Sequence, residues 1–229
     1  MTNQHKWIQS FSRTKNRGLS DRQRQLLDDL LPEVKADKRP FVEYQDIQIE
    51  VGFGNGEHLA QLAINQPGTC FIGCEPFING VAKLLSAIDK FKIENIRIFV
   101  GDCRNFLDEV PTRSVSCIYM LFPDPWPKKR HYKRRLLKQD FLEALWRILK
   151  SDGILRFASD VEGYARDVFD LIKESGLFLI TVPNLRLCAY GKNPWSTIMT
   201  KYEKKARLTK TDCFFIEAFM KIAESRHLQ

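Results

Sequence analysis

The chain has no C-x-x-C pair, no apolar stretch near membrane-spanning length and only four histidines. Its six cysteines, Cys70, Cys74, Cys103, Cys117, Cys188 and Cys213, are scattered. Several lie inside apolar runs, as in Cys117-Ile118-Tyr119, where a free thiol packs as a small hydrophobe. Neither a disulfide framework nor a zinc site is expected from such spacing. His5, His58 and His227 carry no constellation and His131 lies in a basic run, so no metal is indicated. The first residues, MTNQHKWIQSFSRTK, contain no apolar leader segment. A spanning helix needs about 20 apolar residues in succession, which no segment supplies. The expectation is a soluble, cytoplasmic protein with no membrane partner. Internal repeats and low-complexity tracts are absent as well, which argues against a solenoid or a disordered chain.

What the chain does have is charge of one sign in clusters. Lysine and arginine exceed aspartate and glutamate by 36 to 28, for a net charge of +8 over 229 residues. A polyanionic partner fits that balance better than a small neutral one. Residues 1–40 read as a basic N-terminal extension, with Lys6, Arg13, Lys15, Arg17, Arg22 and Arg24 ahead of Leu30-Leu31-Pro32. Within it, Ser20-Asp21-Arg22-Gln23 has the form of a helix start with a reciprocal cap. Residues 41–229 then form one domain.

Along that domain, apolar strands alternate with helical periodicity. Strands are predicted at Ile47–Val51, Cys70–Glu75, Ile96–Val100, Val115–Phe122, Gly153–Ala158 and Leu177–Val182. Helices are predicted at Glu57–Asn65, Phe77–Phe91, Leu136–Leu149 and Val161–Glu174. Asp212–Ile222 reads as a closing strand, although its apolar run also fits a helix. The 183–211 segment reads as a long loop, of a kind uncommon unless it binds something. The pattern implies an α/β fold, a mostly parallel seven-stranded sheet with helices on both faces.

The first strand ends in Glu50-Val51-Gly52-Phe53-Gly54-Asn55-Gly56-Glu57. Gly52, Gly54 and Gly56 permit a tight turn and close approach of a ligand to the backbone. The spacing is G-x-G-x-G, not the G-x-G-x-x-G in which a helix N-terminus cradles pyrophosphate. Glu50, Glu75 and Asp102 stand at the ends of successive strands around this turn. Carboxylates repel a pyrophosphate but complement a sulfonium and its ammonium group. S-adenosylmethionine therefore fits better than NAD. On the bland alternative, Glu75 and Asp102 merely cap the helices that follow them.

FPDPWPKKRHYKRR, Phe122 to Arg135, sets one carboxylate against a cationic array. Asp124 lies between two prolines that stiffen the chain, just past the fourth strand. Open α/β sheets place their chemistry at such strand ends. Lys128, Lys129, Arg130, Lys133, Arg134 and Arg135 can neutralise phosphates, whereas a basic run by itself is as often a solvated face. Trp126 and Trp195 are candidates to stack on an unpaired base or to be ordinary packing aromatics.

Together these residues resemble the bacterial tRNA (guanine-N7-)-methyltransferase family. The strings that carry the resemblance are SFSRTKNRGLSDRQ, IEVGFGNGEHLA, GCEPF, GDCRNFL, FPDPWPKKRHYKRR, SDGILRFASDVEGYA and NPWSTIMTKYE. It implies a Rossmann-like class I S-adenosylmethionine-dependent methyltransferase that methylates N7 of a guanine in the variable loop of tRNA. It also implies that Glu50, Glu75, Asp102 and Asp124 line the cofactor site. Lys128, Asp160 and the Thr200-Lys201-Tyr202-Glu203 stretch would contact the substrate. Arg130, His131, Tyr132, Lys133, Arg134 and Arg135 would meet RNA. Ile198-Met199 and Ala206 depart from the family pattern near the end of the chain.

The chemistry asked of such a site is modest. Guanine N7 carries an in-plane lone pair and no proton, so no general base is required. Positioning and a carboxylate environment for the cationic product suffice, with Asp124 as the catalytic residue. Asp160, in Ala158-Ser159-Asp160, can hold donors on the guanine edge. Two rivals remain open on the sequence alone: methylation of an exocyclic amine, and an RNA-binding protein without catalysis.

Overall fold

The computed structural model describes residues 18–185, 189–190, 193–195 and 198–221. Residues 1–17 of the expected extension, and Cys188, lie outside the described residues. Helix α1 (Asp21–Asp29) opens on the cap read from sequence. The Gln23 N–H donates to Ser20 Oγ at 3.2 Å and the Ser20 N–H to Gln23 Oε1 at 3.1 Å, the reciprocal arrangement of a capping box. Leu26 is buried, and Arg22 pairs with Asp89. After α1, the Ile98 N–H donates to the Val34 carbonyl at 2.7 Å and the Ala36 N–H to the Ile98 carbonyl at 2.9 Å. Residues 21–36 are thus bound to the sheet edge.

A short helix α2 (Pro40–Glu43) precedes strand β1 (Asp46–Val51). The chain then runs α3 (Glu57–Asn65), β2 (Thr69–Cys74), α4 (Ile78–Phe91), β3 (Ile96–Phe99), α5 (Cys103–Leu107) and β4 (Val115–Leu121). It continues through a 3-10 turn (Lys129–Arg134), α6 (Gln139–Ile148), β5 (Leu149–Ser159), α7 (Glu162–Ser175) and β6 (Phe178–Ile180). It closes with β7 (Ala189–Tyr190), α8 (Lys201–Leu208) and β8 (Cys213–Met220). The strands lie in the order β3-β2-β1-β4-β5-β8-β6, with the two-residue β7 beside β8. The β1–β2, β1–β4, β2–β3 and β4–β5 pairs are parallel, whereas β8 is antiparallel to β5 and β6. This is the seven-stranded, mostly parallel sheet expected, and the Asp212–Ile222 ambiguity resolves as strand.

The two-residue period of the strands builds two cores. Ile47, Ile49, Val51, Cys70 and Ile72 point to a layer shared with Phe106, Phe141, Leu145, Tyr164 and Phe169, from α5, α6 and α7. Phe71, Ile96, Ile98 and Tyr119 face a layer shared with Leu26, Leu59, Leu84 and Leu85, from α1, α3 and α4. All six residues of β2 are buried, as a strand covered on both faces must be. No helix among the described residues is long and apolar enough to cross a membrane.

Strand order reverses between β1 and β4, the switch point past whose carboxyl strand ends such sheets form their ligand crevice. The 183–211 segment differs from the expected loop, since it contains β7 and α8. Helix α8 buries only Glu203 and Ala206, too little for an apolar stripe to register in the sequence. Its usable signal is the cap Thr200-x-x-Glu203, where the Glu203 N–H donates to Thr200 Oγ1 at 3.1 Å. The sequence leaves the conformation of the basic run after Pro127 unassigned. The run winds as a 3-10 turn, with the His131 N–H on the Lys128 carbonyl at 2.7 Å and the Arg135 N–H on the Tyr132 carbonyl at 3.0 Å.

Candidate active site

The glycine turn after β1 takes left-handed φ at all three positions, 73° at Gly52, 59° at Gly54 and 75° at Gly56, a region that side chains disfavour. A Cβ on Gly52 or Gly54 would meet no protein atom within 4 Å, so the turn borders open space. Its other side is closed. A Cβ on Gly80 of α4 would lie 2.0 Å from the Gly54 carbonyl oxygen, so only glycine lets that helix seat against the turn. Gly80 went unnoticed in the sequence. Its signal was a glycine inside an otherwise good helix, which marks close packing.

Glu75, just past β2, is buried and accepts the Gly54 N–H at Oε2 (2.7 Å) and the Phe77 N–H at Oε1 (2.9 Å). Burial raises its carboxyl above the ordinary range, and the nearby Asp124 and Glu50 charges push the same way. The two backbone N–H bonds oppose that rise without cancelling it. Glu50 is buried too, with Oε2 2.9 Å from Nδ1 of buried His58. His58, which carries no constellation by sequence, is thus corrected to the partner of Glu50. The link spans a strand end and a helix start eight residues apart, a contact with no linear motif. His58 also sits edge-on to Tyr119, with ring centroids 5.3 Å apart.

Asp102 follows β3 and caps α5. It accepts the Arg104 N–H at 3.1 Å and pairs with the guanidinium of Arg104 at 2.5 Å. The capping role weighed as an alternative is present at Asp102, whereas Glu75 accepts the N–H of Phe77, the residue before α4. Asp102 Oδ1 also accepts Arg104 Nε at 2.9 Å, so with two acceptor sites per oxygen it is Oδ2 of Asp102 and both oxygens of Glu75 that keep room for a ligand donor.

Asp124 is exposed on a turn bracketed by two aromatic residues with positive φ, Phe122 at 52° and Trp126 at 44°. Tyr202 from α8 stacks on Phe122, with centroids 6.1 Å apart and planes 19° apart. The Tyr202 phenol is pushed up by burial and then by the charges of Asp124, Glu75 and Asp160. The ends of β2, β4 and β5, which carry those carboxylates, therefore lie near the start of α8. Asp160 lies two residues before α7, whose entry is fixed by the Val161 N–H on Ser159 Oγ at 3.1 Å.

Of the basic run, Lys128, Lys129, Arg130, Tyr132 and Lys133 are exposed, and His131 and Arg134 are half-buried. Trp126 packs edge-on to His131 and under Arg134, with 4.9 Å between the guanidinium carbon and the indole centroid. Two residues depart from the expected roles. Arg135, grouped by sequence with the RNA contacts, is only 6% exposed; its guanidinium bonds the Pro125 carbonyl and Asp167. Glu203, grouped with the substrate contacts, is 1% exposed; it accepts the Asn193 N–H at 3.1 Å and pairs with Arg207 at 3.3 Å. Both stand in polar strings where burial leaves no sequence mark. Thr200 caps α8, while Lys201 is exposed and Tyr202 half-exposed. Trp195 packs edge-on to Phe215 and belongs to the apolar layer.

A family model described as a putative methyltransferase matches residues 44–216. Solved structures share the fold at low identity. The 16S rRNA methyltransferase KamB superposes with a TM-score of 0.59 at 12% identity, over 82% of this chain and 95% of that one. A 30S ribosomal A1408 methyltransferase from an uncultured bacterium gives 0.55 at 17% identity, over 82% and 95%. The sheet and its crevice are those of a Rossmann-like class I methyltransferase. Sequence relatives are nearer. The tRNA (guanine-N(7)-)-methyltransferase of Ruegeria sp. (strain TM1040) is 38% identical, over 87% of this chain and 83% of its own length. That of Caulobacter vibrioides (strain NA1000 / CB15N) is 37% identical, over 88% and 90%. That of Rhizobium meliloti (strain 1021) is 40% identical, over 86% and 88%. With such likeness across most of their length, this chain belongs to the tRNA (guanine-N(7)-)-methyltransferase family.

Proposed function

We propose that this chain transfers a methyl group from S-adenosylmethionine to N7 of a guanine in the variable loop of tRNA. The observation that carries this reading is the acidic crevice. Glu75, Asp124 and Asp160 converge beside a glycine turn that is open on its ligand side. Clustered carboxylates at a strand switch point fit a cationic cofactor and would repel a dinucleotide. Bound there, S-adenosylmethionine supplies an electrophilic methyl group on a sulfonium.

Gly52, Gly54 and Gly56 bring backbone close to the cofactor. Glu75 is positioned to accept ribose hydroxyls and Asp102 the adenine edge. Glu50, held by His58, adds negative charge beneath the turn. Asp124 is the catalytic residue in this reading. Guanine N7 has no proton to lose, so Asp124 acts by charge, orienting the reactants and complementing the cation that forms on the base. Asp160 receives donors from the guanine edge. Thr200, Lys201 and Tyr202 approach the same substrate from α8, and Tyr202 presents its ring beside Phe122. Lys128, next to the turn, bridges the reacting centre and the phosphate path, along which Arg130, His131, Tyr132, Lys133 and Arg134 meet RNA. Such phosphate contacts position a substrate and leave base identity to the crevice.

Calorimetry with S-adenosylmethionine, its demethylated product and NAD tests the cofactor assignment. The first two should bind and NAD should not; tight binding of NAD alone would contradict it.

A further inference from the structure

We infer that Arg135 is a positioning residue for Asp124, locking the Asp124 turn to helix α7 and through it to Asp160, and is not a phosphate contact. This rests on the catalytic reading of Asp124 given above. Arg135 is buried at the end of a run whose other cations are exposed or half-buried. Its Nε donates to the Pro125 carbonyl at 2.9 Å, and its Nη1 pairs with Asp167 of α7. The guanidinium lies 3.7 Å from the ring centroid of Tyr132 and 4.7 Å from that of Tyr164. Pro125 follows Asp124 directly, and α7 begins two residues after Asp160. One side chain therefore ties the end of β4 to the helix that leaves β5.

The turn needs such a tie. Phe122 and Trp126 at its two ends both hold positive φ, a conformation that persists in non-glycine residues only where surroundings impose it. Arginine suits the task because a planar fork can bond a carbonyl and a carboxylate while its flat surface packs on aromatic rings; an ammonium has no such surface. A buried cation already paired with Asp167 is also not placed to neutralise a phosphate and release the counterion condensed on it.

The test uses the full chain with Arg135→Gln, Asp167→Asn and Arg135→Lys. The measurements are single-turnover methyl transfer, the salt dependence of tRNA binding, and melting temperature. Ile172→Val, which thins the buried core of the same helix, serves as the stability control. All three clamp variants should lose roughly 10- to 100-fold in transfer rate, the scale expected when a reacting group is misplaced by about 1 Å. The tRNA Kd and its salt slope should stay at the wild-type values, and Ile172→Val should retain its rate. A slope lower by about one unit in Arg135→Gln would make the residue a phosphate contact and overturn the clamp. So would a normal rate in Asp167→Asn, whose exposed position keeps that arm informative even if Arg135→Gln fails to fold. An equal rate loss in Ile172→Val would reduce the effect to general destabilisation and also overturn it. If wild-type protein transferred no methyl to N7, the functional reading would fail on its own, while the salt slope of Arg135→Gln would still decide the clamp.

Discussion

The backbone N–H of Gly54 donates to Oε2 of Glu75 at 2.7 Å, joining the glycine turn and the carboxylate of the next strand into one unit. The turn is presented to the ligand by a group that also supplies negative charge. Disturbing either member should therefore disturb both the shape and the electrostatics of the cofactor site.

Gly80→Ala is the sharpest way to disturb the turn from outside. Its Cβ would fall 2.0 Å from the Gly54 carbonyl, a backbone atom with little freedom to yield. Overpacking of this kind costs about 1–3 kcal/mol, and the displaced turn should weaken S-adenosylmethionine binding at least as much. Calorimetry beside thermal melting checks this; wild-type affinity in Gly80→Ala would show that the turn moves freely.

Glu75 makes the protein's pH response specific. Its carboxyl is raised above an ordinary 4.5 by burial and by Asp124 and Glu50. A raised folded value contributes stability that is full below the unfolded value and is lost as pH rises through the folded one. The stability of wild type relative to Glu75→Gln should accordingly fall without cofactor as pH rises above 4.5 and through the raised folded value. A cationic cofactor favours the ionised carboxylate, so its affinity should rise over that range in wild type and stay flat in Glu75→Gln. Denaturant titrations and calorimetry across pH report both trends.

Asp124→Asn keeps the shape of the turn and removes its charge. Under single-turnover conditions methyl transfer should drop by about 100- to 1,000-fold, the range seen when one preorganised electrostatic partner is removed. Retention of tRNA should be unchanged. Wild-type turnover in this variant would leave Asp124 a positioning role only.

The exposed cations Lys129 and Lys133 should act through phosphate. Replacing each with alanine should flatten the salt dependence of tRNA binding by about one slope unit per lost contact, without moving the methylated position. Lys128→Ala, next to the turn, should lower turnover as well as affinity. Unchanged slopes in all three would demote the run to a solvated face.

The fold was legible because its strands are apolar runs at regular spacing and its main helices carry one-sided stripes, as at Ile78, Val81, Leu85 and Ile88. Helix α8 escaped because it buries so little, and the 3-10 winding of the basic run left no periodicity to read. The strand-end positions of Glu75, Asp102 and Asp124 were legible because the alternation of strands and helices by itself places them just past β2, β3 and β4. Contacts between distant elements were not: His58 with Glu50, Gly80 against Gly54, and Arg135 with Asp167. Each depends on how two elements dock, which their separate sequences do not encode. Glu203 and Arg135 show the same limit, since a charged residue in a polar string gives no sign that it is buried.

The central claim is tested most directly by labelled methyl transfer to unmodified tRNA, followed by nucleoside analysis of the product. Label is expected in N7-methylguanosine, at a single guanine of the variable loop. Label on an exocyclic amine, or none at all from a protein that still binds tRNA, would contradict it.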